Sequence, residues 1–304
     1  DGVARGAGRL IATRDLDAGL ASAGIAADVA VQTTVADGTP RFVHRALAQG
    51  HLYYLHTTAM QPMQIEASFR VTGYAPERWD ATTGRTTPLA YTIRDGRTIV
   101  PLALQAEDAV FVVFRQPTTA TSRARFAEQL IETRDLSVDW DVRFSAPHDA
   151  PPAMHMATLS PWNRADDARL RFHAGSGIYT RQLDLDAAPA AGTRVELDLG
   201  TVGDLARVIV NGREMGTAWH APMTLDIGPA LHAGRNTLRI EVANLWVNRL
   251  IGDAQPGATP TTFTTAIPYR ADAPLRPSGL IGPVRLLTWT APSCHDDAAC
   301  TTWP

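Results

Sequence analysis

Lysine is missing from this 304-residue chain: all 28 basic residues are arginine. Forked, bidentate polar recognition would use arginine in this way, but a GC-rich coding bias is the simpler account. With 31 acidic residues the net charge is −3, and no basic stripe marks a nucleic-acid partner. No apolar run approaches the roughly 20 residues that a membrane-crossing helix needs. The first residues, "DGVARGAGRL", contain neither an initiator Met nor the apolar core of a signal peptide. The chain is therefore expected to be a mature product or a piece of something longer. Cysteine is nearly absent. Cys294 and Cys300, in "SCHDDAAC", are spaced for a small disulfide loop, ranked ahead of free thiols and of a metal site with His295 and Asp296.

Several kinds of chemistry are also missing. There is no H-E-x-x-H, no phosphate-cradling loop and no dinucleotide fingerprint. Gly175-Ser176-Gly177 lacks the full nucleophile elbow, so it reads as a loop entering a strand. Only eight glutamates occur, and Glu66, Glu196 and Glu241 fall on the outward side of alternating strands, the usual place of a solvated carboxylate. Glycoside hydrolysis normally needs two carboxylates around one bond. A barrel to hold them would take about 250 residues of alternating strand and helix, and no such alternation is present. His44, His51 and His56 lie near strand ends and read as surface or hydrogen-bonded imidazoles. No cofactor is implied. The Asp-rich "NRADDA" (163–168) permits calcium, but a solvated turn is the simpler reading.

What is present is β-structure. Hydrophobic residues make up 45% of the chain and charged ones 19%, a globular balance. Residues 1–40 stand apart: Leu16, Leu20 and Ile25 are near helical spacing, with Asp15 or Asp17 as a cap and Gly24 as a stop. One helix cannot make a core, so this stretch reads as the end of an upstream α/β domain. Residues 41–116 read as a small β-sandwich, with Ile65, Ala67, Phe69 and Val71 on one face and turns at Thr83-Gly84 and Asp95-Gly96. "AVFVVFR" (109–115) is a short apolar strand. Residues 117–132 read as a linker, 133–291 as a larger sandwich of jelly-roll type, and 292–304 as a tail. In the larger block Val195, Leu197 and Leu199 point inward, as do Leu238, Ile240 and Val242. Asn211-Gly212 is placed to reverse the chain in a type I′ turn, sending Val208 and Val210 into the same core.

Sugars bind by stacking on flat rings while polar groups hold their hydroxyls. Trp140, in the alternating "SVDWDVRF", is expected in the core. Trp219 and His220 in "GTAWHAP", and Asn244, Trp246, Asn248 and Arg249 in "VANLWVNRLIGD", are the candidates for contact with a ligand or another domain.

The stretch from "LDLGTV" (197–202) through Asn211-Gly212, Gly216, Asp226, Gly234-Arg235-Asn236 and Asn244 resembles the sugar-binding-like module of the β-galactosidase and β-glucuronidase group. "LDLGTV" (197–202), "VNRLIGD" (247–253) and "PSGLIGPVRL" (277–286) resemble more closely the C-terminal part of the α-L-rhamnosidases of glycoside hydrolase family 106. Upstream, Phe69-Arg70, Pro76, Trp79-Asp80 and Thr83-Gly84 are similar to that family's small sandwich. The resemblance implies a mainly β chain: two tandem β-sandwiches, the second a galactose-binding-like jelly roll, preceded by a short α/β remnant. It implies an accessory region of a rhamnose-releasing hydrolase, with carbohydrate and an upstream catalytic barrel of the same polypeptide as partners. It places the protein in the periplasm or outside the cell. The family's catalytic carboxylates match no position here. The alternatives are a stand-alone carbohydrate-binding protein and a purely structural spacer.

Overall fold

Period-two alternation in the first half of the chain becomes two facing antiparallel sheets. The computed structural model describes residues 2–290 except 36, 37, 82, 83, 125–127, 146–149 and 267. The described residues divide into two compact units, one up to residue 126 and one from residue 127 to residue 290.

The first unit opens with a two-stranded hairpin, β1 (Gly2–Arg5) and β2 (Gly8–Ile11), and a short helix, α1 (Leu16–Ser22). Asp15 caps the helix by accepting from the Ala18 amide, and Gly24 leaves it in the left-handed region. Leu16, Leu20 and Ile25 nevertheless remain exposed. The next strand, β3 (Val29–Thr33), pairs with Met63–Phe69 in the first sandwich. That part of residues 1–40 therefore lies in this sandwich rather than in a separate α/β element.

The hairpin β4 (Arg41–Leu47) and β5 (Gly50–His56) is followed by β6 (Met63–Phe69), β7 (Tyr74–Trp79), β8 (Thr86–Pro88), β9 (Tyr91–Arg94), β10 (Arg97–Leu104), β11 (Ala109–Pro117) and β12 (Ser122–Arg123). One sheet has the order β12-β9-β10-β6-β3 and the other β4-β5-β11-β7-β8. Between them lie Ile65, Ala67, Phe69 and Val100 from the first sheet and Tyr53, Leu55, Val110, Val112 and Phe114 from the second. Asp95-Gly96 turns with both φ angles positive, as expected; Thr83 lies outside the described residues. The expected linker holds more structure than its composition implied. Its first residue ends β11, its middle forms β12, and its last residues enter the next strand.

The second unit contains β13 (Leu130–Asp135), β14 (Val138–Ser145), β15 (Met154–Thr158), α2 (Ala168–Arg171), β16 (Ser176–Leu185), β17 (Arg194–Asp198), β18 (Thr201–Val202), β19 (Leu205–Val210), β20 (Arg213–Ala218), β21 (Thr224–Asp226), β22 (Gly234–Ala243), α3 (Val247–Asp253), β23 (Leu280–Gly282) and β24 (Arg285–Trp289). A four-stranded sheet, β13-β24-β17-β21, faces a six-stranded one, β15-β14-β16-β22-β19-β20. Val195, Leu197 and Leu286 from the first meet Trp140, Tyr179, Val208, Leu238 and Ile240 from the second in one core. Asn211 and Gly212 take φ of 52° and 80°, which makes the tight reversal between β19 and β20. Trp140 is fully buried, and its indole Nε1 donates to the Leu136 carbonyl at 2.7 Å.

Candidate functional site

Where β22 ends, Asn244 turns the chain into α3. Its side-chain oxygen accepts from the Gly175 amide at 2.9 Å, and its amide donates to the His173 carbonyl. One residue on, the Leu245 amide donates to Asp204 at 2.8 Å, and Arg276 reaches the other oxygen of the same carboxylate at 3.3 Å. These residues, with Val247, Asn248, Pro277 and Ser278, line a notch of about 170 Å³ that is open to solvent. That space includes open solvent, so the notch is a surface dent and not an enclosed ligand cavity of ordinary size. Leu245 and Trp246 stand beside it, each about half exposed.

The polar residues expected around Trp246 divide into two groups. Asn248 is buried, donating to the Arg276 carbonyl and accepting from the Arg276 amide, both at 2.8 Å. It straps the 276–278 loop to α3 and leaves little side-chain capacity for a ligand. Arg249 runs one turn along the helix to Asp253, at 2.6 Å, and its Nε is buried without a partner. Burial alone would raise the Asp253 carboxyl, but bonds from Thr262 and Thr261 together with Arg249 hold it below the usual range. Arg249 and Asp253 thus anchor the loop after α3. Trp219 lies 60% exposed on the β20–β21 loop, with its ring edge-on to His220 at 4.6 Å. His220 Nδ1 meets the neighbouring Ala221 carbonyl at 3.0 Å. No hydrogen bond or ring contact among the described residues joins this pair to the Trp246 segment. Cys294 and Cys300 lie outside the described residues.

Hydrolysis of a glycosidic bond would require two carboxylates across a cleft. Several little-exposed carboxylates are each held by a guanidinium: Glu77 by Arg115, Asp253 by Arg249, Glu196 by Arg194, and Glu241 by Arg207 and Arg239. Only Asp204 lines the notch, and it is tied to Arg276 and Leu245. Among the described residues no group of three or more His, Cys, Asp or Glu has metal-holding geometry, and Asp167 of the "NRADDA" loop caps α2. No helix among them is long and apolar enough to cross a membrane.

A second polar cluster escaped the sequence reading because its members are far apart in the chain. In the first unit Asp28 meets His44 Nδ1 at 2.7 Å, and His44 Nε2 meets His51 Nδ1 at 2.9 Å. The His44 ring stacks on Tyr53, whose hydroxyl donates to the other Asp28 oxygen at 3.3 Å. One N–H serves the contact between the two imidazoles, and a second would set two donors head to head. Burial, then the His44 charge, lower the His51 pKa, with Asp28 pulling the other way. His173 in the second unit is lowered chiefly by burial and also by Arg249, against a backbone hydrogen bond at Ser176. Both groups take up protons less readily folded than unfolded. Their contribution to stability is therefore intact above about pH 6.5, the unperturbed histidine value, and is lost as pH falls below it. Urea unfolding midpoints should drop from pH 7.5 to pH 5.0, and His173→Phe should flatten that dependence if the variant folds. An unchanged slope in that variant would assign the loss elsewhere.

Comparison with known proteins bears on these features together. The glycoside hydrolase family 106 model, described as alpha-L-rhamnosidase, matches residues 2–93. The solved rhamnosidase from Novosphingobium sp. PP1Y is 45% identical over 94% of this chain, with a TM-score of 0.89. The chain resembles the family 106 α-L-rhamnosidases. A curated relative from Formosa agariphila, named "Putative beta-glucuronidase", is 34% identical over 119 residues, 39% of this chain. The chain spans 27% of the solved rhamnosidase and 10% of that relative. The family model matches only within the first unit, whereas the likeness to the solved rhamnosidase takes in both sandwiches, since it covers 94% of the chain.

Proposed function

We propose that these residues form the C-terminal accessory region of an α-L-rhamnosidase-like hydrolase acting on rhamnose-containing glycans. Bond cleavage belongs to a preceding barrel of the same polypeptide. The observation that carries this reading is the match to the solved rhamnosidase along 94% of the chain. The guanidinium-bound carboxylates support it, because a general acid has to be free to give up its proton to the leaving oxygen. In this reading the second sandwich is a jelly roll of the carbohydrate-binding type. Its half-exposed indoles Trp219 and Trp246 are the surfaces offered to sugar or to the barrel. Asn244, Asn248, Arg249 and His220 hold the surrounding loops in place. The protein works in the periplasm or outside the cell, where its polymeric substrate is.

The test is turnover of an aryl α-L-rhamnoside. The 304-residue chain should show none, and the longer natural protein containing it should release the aryl alcohol. Activity in the chain alone would overturn the division of labour. Inactivity of the longer protein toward α-L-rhamnosides, with another glycoside cleaved, would overturn the substrate. The alternative, a free carbohydrate-binding protein, draws on the same exposed indoles and predicts glycan binding by a natural protein that cleaves nothing.

A further inference from the structure

A sandwich normally turns one face of each sheet inward and leaves the other polar and wet. The sheet β4-β5-β11-β7-β8 departs from this. Its inward residues are Tyr53, Leu55, Val110, Val112 and Phe114, so the residues between them point outward. Pairing places Val43 opposite Tyr54, Tyr54 opposite Phe111, and Phe111 opposite Trp79, a single apolar row across four strands. In the next row Leu52 and Glu77 flank Val113, which is wholly buried although it belongs to the outward set.

Three details distinguish this face from a sugar platform or a solvated surface. The Tyr54 and Phe111 rings are 5.1 Å apart but tilted by 49°, so they interlock and present no flat plane for a pyranose to stack on. Trp79 Nε1 is shielded from water without a hydrogen-bond partner, a cost that a solvated surface residue would not bear. Glu77 is buried and bound by Arg115, whose guanidinium lies over the Trp79 ring at 5.0 Å. The free edge strand β4 continues the face with Val43 and Leu47, 53% and 42% exposed. A bare apolar edge of this kind is one that native proteins cover. Arg41 and Arg45 share its outward side, and neither makes an ion pair with a described residue.

We propose that this outer face, Val43, Tyr54, Phe111 and Trp79 with Arg41 and Arg45 at its edge, is the seat of the catalytic part of the longer hydrolase. The proposal rests on the reading given under Proposed function, where the chain covers only 27% of the rhamnosidase it matches. The surface that docks is apolar at its centre and carries carboxylates where it meets β4, complementing the guanidiniums of Arg41 and Arg45. The unbroken "AVFVVFR" run has the composition of a strand covered on both faces.

Oxidative footprinting tests this. Tyr54, Phe111 and Trp79 are part-exposed in the 304-residue chain, and in the longer natural protein they should be modified at least tenfold more slowly, with Phe263, 85% exposed, as the reference. Equal rates in the two proteins would overturn the proposal. Val43 is half exposed on an edge strand, so Val43→Asp should leave the melting temperature of the 304-residue chain unchanged while restoring fast modification of Tyr54 in the longer protein. Protection that survives Val43→Asp combined with Phe111→Asp would also overturn it. If the 304-residue chain dimerises and Val43→Asp abolishes the dimer, the occupant is a second copy and the proposal fails. The two readings fail separately: a protected face in a protein that cleaves no rhamnoside removes the activity but keeps the docking. An unprotected face in an active rhamnosidase does the reverse.

Discussion

Trp162→Ala should destabilise the second sandwich by about 3–5 kcal/mol, the range for emptying a large aromatic site in a packed core. The indole is 1% exposed, its Nε1 donates to the Tyr179 hydroxyl at 2.6 Å, and that oxygen also accepts from the Leu280 amide at 3.0 Å. The Trp162 amide donates to the Ser278 carbonyl at 2.9 Å. Two glycines press against the ring: a Cβ at Gly177 would lie 2.3 Å from it and one at Gly279 2.6 Å. The 276–280 loop, which walls the notch beside Trp246, thus leans on one side chain. Urea denaturation should show the loss of stability. If the variant retains a fold, amide exchange at Ser278 and Leu280 should quicken more than in β19 or β22. A destabilisation below about 1 kcal/mol would mean that the neighbours close the cavity without cost.

Asn236→Leu should cost about 3 kcal/mol or more. Asn236 is completely buried, accepting from the His232 amide and from Asn211 Nδ2 and donating to the carbonyls of His232, Gly234 and Leu183. Leucine keeps much of the volume but leaves several buried polar groups without partners, each costing about 1–3 kcal/mol. Asn211 would keep its bonds to the Ala230 carbonyl and the Thr237 amide, so the hairpin turn should persist while the loop at residues 230–234 loosens. Unfolding midpoints with equal denaturant slopes would measure this. Asn236→Asp should lie between the two, since it keeps an acceptor and loses the donors. A neutral leucine variant would show that relaxation satisfies these groups another way. Asn211 and Asn236, two residues on which the family resemblance rested, therefore form a structural strap between β19 and the loop before β22.

Much of the fold could be read from local rules. Alternation at Ile65–Val71, Val195–Leu199 and Leu238–Val242 gave the buried faces, and Asp95-Gly96 and Asn211-Gly212 gave the turns, because each needs only neighbouring residues. Features that depend on strand register were hidden. The Asp28–His44–His51 chain exists because β4 and β5 place His44 beside Tyr53 and His51 two residues away, and β3 starts next to Asp28. The apolar outer face was invisible for the same reason: Tyr54, Phe111 and Trp79 become a row only once three strands are aligned. At the notch, sequence spacing found Trp246, Asn248 and Arg249 together. Only the path of the 276–278 loop determines that Asn248 turns inward while Trp246 stays out.

The two sandwiches enclose separate cores with no residue in common, so the chain need not melt as one cooperative unit. Of the seven tryptophans, Trp79 lies before residue 127, Trp140, Trp162, Trp219, Trp246 and Trp289 fall in the second unit, and Trp303 lies outside the described residues. Intrinsic fluorescence will therefore follow mainly the second sandwich. Loss of the first would register through Trp79 and the far-ultraviolet signal.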